Sequence, residues 1–114
     1  MNYGLVFLPR GDYTQALSYF ERALPFTPNY STLEINLGVA TAGLGRTTEA
    51  EQHFHRAIEL APDSADAYFF YGRWLCGVGR TADCAVVLQA ALAKDRLHVG
   101  ARDLLARLYG QHRN

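Results

Sequence analysis

Two stretches of the chain, 31–44 and 65–78, carry apolar residues at three- and four-residue spacing, which aligns them on one face of an α-helix. Each runs into a Gly-Arg pair, Gly45-Arg46 and Gly79-Arg80, and glycine readily takes the left-handed conformation that ends a helix. Thr47 and Thr81 follow as predicted N-caps, and second amphipathic segments run over about 48–60 and about 82–94. APDS at 61–64 closes the pattern: Pro62 stops continuation and Ser64 is placed to cap the next helix. TPN at 27–29 does the same one unit earlier, and a last helix is predicted over about 99–111.

The pattern recurs at one fixed offset, the step from Gly4 to Gly38 and from Gly38 to Gly72. Gly11, Gly45 and Gly79 share that spacing. So do Ala16, Ala50 and Cys84; Phe20, Phe54 and Leu88; and Ala23, Ala57 and Ala91. Pro28 and Pro62 match too, and the series breaks at Arg96. This many columns at one offset mark a repeat array built from one supersecondary unit.

The spacing resembles the tetratricopeptide repeat family, whose pattern is W-x2-L-G-x2-Y, then A-x3-F, then P over roughly 34 residues. The central unit reads Glu34-x2-Leu37-Gly38-x2-Thr41, Ala50-x3-Phe54 and Pro62. The next reads Tyr68-x2-Tyr71-Gly72-x2-Leu75 and Cys84-x3-Leu88, with Arg96 in place of proline. The opening unit is partial (Tyr3-Gly4-x2-Phe7, Ala16-x3-Phe20, Pro28), and the last helix keeps Leu105-Ala106-x2-Tyr109. The resemblance implies an all-α fold, a right-handed superhelical array of antiparallel helix hairpins. Its divisions are a partial repeat over 1–30, repeats over 31–64 and 65–98, and a capping helix over 99–114 with Arg102 and Arg107 on its outer side.

The aromatic run YFFYGRW at 68–74 divides on such a helix. Tyr68, Tyr71, Gly72 and Leu75 fall on the side that faces the second helix, and Gly72 and Ala91 let the two backbones approach. Phe69, Phe70 and Arg73, with Asp66, Cys76 and Gly77, are assigned to the opposite side, and Trp74 is expected to pack on an adjacent first helix. First helices line a concave groove in tetratricopeptide arrays, so the resemblance makes this side a partner-binding surface. Leu5, Leu8 and Pro9 would contribute to it from the partial helix. Thr32, Ile35, Asn36, Val39, Ala42 and Gly43 would follow, then Asp103 and Arg107 with Leu104 beside them. Such a groove suits an extended or helical peptide that inserts apolar side chains and is oriented by an Arg–carboxylate contact. Members that clamp a chaperone's C-terminal carboxylate use Lys and Asn where this chain has Ile35 and Val39, so that specificity is not expected. Asn2 and Asn36 fall on the column of the asparagine ladder of O-linked N-acetylglucosamine transferases, and Phe70 and Leu104 do not continue it.

Composition narrows the classes further. Eleven basic and eleven acidic residues give no net charge and no basic face for nucleic acid. No apolar run approaches the ~20 residues of a membrane span, and MNYGLVFLPR lacks the basic flank of a signal peptide. Cys76 and Cys84 are not spaced as CxxC; read as unpaired thiols, they fit a reducing, cytoplasmic compartment. His53 and His55 point about 200° apart on a helix and cannot share a metal ion, and no third ligand is spaced to join them. Glu49 with His53, and Glu51 with His55, read as i,i+4 pairs on a solvated face, while His98 and His112 stand isolated. There is no GxSxG, and GLGRT and GVGRT follow helices and lack the phosphate-loop lysine. The sequence therefore predicts no catalysis, metal or cofactor.

The leading expectation is a protein–protein interaction module for a peptide or protein partner. The alternative is a spacer or dimerisation element of a longer protein, which on family analogy could be a glycosyltransferase. It is motivated by Met1, which corresponds to the middle of a first helix. Ala16 and Phe20 should then be incompletely covered, a surface a second copy could fill.

Overall fold

The computed structural model describes residues 13–23 and 31–112. Among them are six helices and no strand: α1 Tyr13–Ala23, α2 Ser31–Gly43, α3 Thr47–Leu60, α4 Ala65–Gly77, α5 Thr81–Lys94 and α6 Val99–His112. The predicted helices from residue 31 onward are all present. The opening helix expected to carry Leu5, Leu8 and Pro9, and the TPN turn at 27–29, lie outside the described residues.

The two Gly-Arg turns are built alike. Gly45 and Gly79 take φ of +78° and +88°, the left-handed region where a side chain would be strained. The following amide folds back in each: Arg46 N–H donates to Thr41 O and Arg80 N–H to Leu75 O, both at 2.9 Å. The Arg46 and Arg80 carbonyls then accept from Ala50 N–H and Cys84 N–H at 2.9 Å, which makes these arginines the N-cap residues of α3 and α5 and Thr47 and Thr81 the first helical residues rather than the predicted caps. Ser64 does cap α4, accepting a hydrogen bond from Ala67 N–H at 3.3 Å.

The chain forms two compact units, Met1–Pro62 and Asp63–Asn114. In the first, α2 packs on both α1 and α3. Leu17 and Phe20 of α1 share a buried cluster with Leu33, Leu37 and Ala40 of α2. Phe20 is only 4% exposed, so the expected gap at this position is absent: α2 supplies the apolar cover. Across the α2–α3 hairpin, a Cβ on Gly38 would lie 2.9 Å from the Phe54 ring, which sets how closely the two helices approach. Ser31 Oγ ties the other end of the hairpin, donating to Ala57 O at 2.9 Å.

The second unit repeats this logic. A Cβ on Gly72 would meet Leu88 Cδ2 at 2.9 Å, and Leu75, Cys84, Leu88 and Ala91 are fully buried between α4 and α5. Cys76 and Cys84 are joined by a disulfide, which corrects their reading as unpaired thiols. Cys76 lies one turn beyond Gly72 on the stripe that faces α5, not on the side of Phe70 and Arg73. The tight turn brings its Cα to 5.3 Å from that of Cys84, a separation a disulfide spans. The expectation of a reducing compartment rested on free thiols and loses that basis. Among the described residues no helix is long and apolar enough to cross a membrane.

Closing so short a loop removes little chain entropy. Reduction is expected to lower stability by about 2–3 kcal/mol, read as a lower urea midpoint with reductant than without. A Cys76→Ser variant should show the lower midpoint in both buffers.

Candidate binding surface

α2 is apolar on nearly all sides, and a helix of that kind becomes covered on nearly all sides. Every residue from 33 to 38 is buried. Ile35, expected at an exposed position, is 2% exposed, and Asn36 is 5% exposed. Val39 is half-buried. Asn36 Oδ1 is buried without a hydrogen-bond partner among the described residues. An acceptor left unmet in a protein interior costs about 1–3 kcal/mol, so this atom stands out.

Glu34 is buried as well, and its charge is met. His53 Nδ1 lies 2.8 Å from one carboxylate oxygen, and Arg56 Nε donates to the other at 3.0 Å. His53 therefore pairs across the hairpin rather than with Glu49, because α3 turns that side chain toward α2. The expected pair of His55 and Glu51 is present at 3.8 Å on the open side of α3. Glu34 holds the column where the repeat pattern has an aromatic residue, and its polar contacts to His53 and Arg56 stand there instead.

On α4 the aromatic pair divides. Phe69 and Phe70 contact edge to face with centroids 5.0 Å apart, and the Arg73 guanidinium lies 4.8 Å from the Phe70 centroid. Phe69 leans onto the start of α6: its ring is 4.9 Å from the His98 imidazole, and a Cβ on Gly100 would lie 2.9 Å from it. Trp74 stacks on Tyr71 of its own helix, with centroids 6.1 Å apart.

His98 is not isolated. It sits one full repeat after Ser64 and plays that residue's role, its Nδ1 accepting from Ala101 N–H at 3.1 Å. Nε2 therefore carries the proton and donates to Asp66 at 2.7 Å, which ties the first turn of α4 to the first turn of α6. Arg96 needs no proline beside it, because Asp95 Oδ1 accepts from Leu97 N–H at 3.0 Å and makes the turn. Asp66 and Arg73 are exposed on α4, as are Asp103 and Arg107 on α6. Phe70 is half-buried. Among the described residues no three His, Cys, Asp or Glu side chains cluster as metal ligands.

Two family models, each of the Tetratricopeptide repeat, match the chain over residues 1–63 and 41–108. The chain belongs to the tetratricopeptide repeat family. The solved structures agree with that assignment of fold. The Arabidopsis OM64 TPR domain superposes with a TM-score of 0.77 at 20% identity, over 88% of this chain and 83% of that one. The first TPR of Spaghetti (RPAP3), bound to the HSP90 peptide SRMEEVD, gives 0.79 at 17% identity over 98% and 89%. The second TPR domain of human RPAP3, in complex with the HSP70 peptide SGPTIEEVD, gives 0.76 at 20% identity over 94% and 89%. No curated protein sequence matches the chain significantly.

Proposed function

We propose that the chain is a protein–protein interaction module that holds a peptide segment on the first helices of its hairpins. In the first unit the contacts come from Asn36 and Val39, with Ile35 packed behind them. In the second they come from Phe70 and Arg73, backed by Phe69 and Asp66, with Asp103 and Arg107 on α6. The observation that carries the reading is the Arg73 guanidinium over the Phe70 ring on the exposed side of α4. Arg73, spread over Phe70, offers a cation to a carboxylate beside an aromatic ring for an apolar side chain. Two of the similar TPR domains hold chaperone peptides, which supports the same use of the fold. With Ile35 and Val39 on the columns that clamp a free carboxylate elsewhere in the family, the expected ligand inserts apolar side chains.

The test is selection of peptides from a random display library on the full chain. Val39→Ala, at a half-buried contact position of α2, should weaken a selected peptide several-fold. Phe70→Ala with Arg73→Ala should abolish binding with helix content unchanged. Phe69 is left intact because α6 rests on it. Selected peptides that bind all these variants as tightly as the parent chain would contradict the proposal.

A further inference from the structure

A second surface lies elsewhere in the Asp63–Asn114 unit, on α6. Val99, Arg102, Asp103, Leu105, Ala106 and Tyr109 of that helix, with Leu92 of α5, border an open depression of about 570 Å³. Val99 is 66% and Tyr109 50% exposed. In the register of the repeat, Arg102, Leu105, Ala106 and Tyr109 hold the columns of Tyr68, Tyr71, Gly72 and Leu75 on α4. Those columns are covered on α4 by α5, which presents Cys84-x3-Leu88-x2-Ala91. Counterparts on α2 are covered by α3, which presents Ala50-x3-Phe54-x2-Ala57. The chain thus shows twice what lies on this face; among the described residues no such helix covers α6, where Arg102, Ala106 and Tyr109 are exposed around a buried Leu105.

The register also specifies charge. Arg102 stands in the column of Glu34, whose carboxylate is met by His53 and Arg56, one residue before and two after Phe54. With the sign reversed at Arg102, the matching helix needs a carboxylate at one of those two places. Ala106 adds a further constraint. On Gly38 and Gly72 a Cβ would press against Phe54 and Leu88 at 2.9 Å, so the residue opposite Ala106 must be smaller than Leu.

We propose that this face binds an amphipathic helix of a partner protein, with a small residue, then Val or Ala four positions on, then Ala three further, and an acidic residue flanking the central one. A second copy of this chain fits less well. Its α1 has the spacing Ala16-x3-Phe20-x2-Ala23, but brings a large Phe20 opposite Ala106 and Arg22 opposite Arg102. Asp103 borders both this depression and the proposed first-helix surface; the other lining residues belong to this face alone.

The probe is a fluorescein-labelled peptide of residues 47–60 carrying His53→Glu, Phe54→Val and Arg56→Glu, stapled on its polar side because so short a helix is marginal alone. Binding to the full chain should shift the amide resonances of Val99, Arg102, Leu105 and Tyr109. Arg102→Glu should weaken it about fivefold, and a peptide that keeps His53 and Arg56 should recover that loss. Ala106→Trp, at an exposed position, should abolish binding with helix content unchanged. Absence of binding, or binding indifferent to both substitutions, would overturn the proposal. A dimer of the chain alone that Ala106→Trp dissolves would overturn it too, by naming a second copy as the occupant.

Discussion

Replacing His53 and Arg56 together by alanine is expected to destabilise the chain by about 3–5 kcal/mol, a large part of the stability of a small domain. The cost comes from what remains. Glu34 is 1% exposed and could not recover its hydration, so its carboxylate would be left buried and unpaired. The reverse substitution has a different sign. Glu34→Leu removes the buried charge and leaves an imidazole and a guanidinium that already reach solvent, with side chains 25% and 50% exposed. It should be neutral, or stabilise by about 1 kcal/mol. Urea denaturation of the three proteins decides the matter. Equal losses for the double alanine variant and Glu34→Leu would show that the trio is not buried as a unit.

The second large effect is expected at the hairpin contact. Phe54→Ala should cost about 3–5 kcal/mol, since the ring is 1% exposed and fills the space beside Gly38. Gly38→Ala alone should cost about 1–3 kcal/mol, because its methyl would sit 2.9 Å from ring atoms that cannot withdraw. Made in the Phe54→Ala protein, the same methyl enters vacated space, and its cost should vanish or change sign. The pair is therefore strongly non-additive, and thermal or urea unfolding of the four proteins measures the coupling. Simple addition of the two losses would mean that the helices do not meet at this point.

Periodicity along the chain made the hairpins legible, because Gly38, Phe54, Ala57 and their counterparts one repeat later declare which faces meet. It said less about features set by distance between helices. Glu34 looked like a departure in one column, and nothing along one dimension tied it to His53 and Arg56 on the next helix. The disulfide had a readable signal. Cys76 follows Gly72 by one turn, and Cys84 follows the tight turn at Gly79, which places both on the inner side of one hairpin. His98 had one as well, since one full repeat earlier stands Ser64, the cap of α4. The groove side was harder to read. α2 is apolar on almost every face, so spacing alone could not separate Ile35, which is buried, from Val39, which is partly open.

Backbone hydrogen exchange of the full chain, with and without a selected peptide, reports which helices the peptide covers. A peptide on the first helices is expected to slow exchange in α2 around Asn36 and in α4 around Phe70 and Arg73, and to leave α3 and α5 unchanged. Protection confined to α3 and α5, with α2 and α4 exchanging as in the free chain, would contradict it.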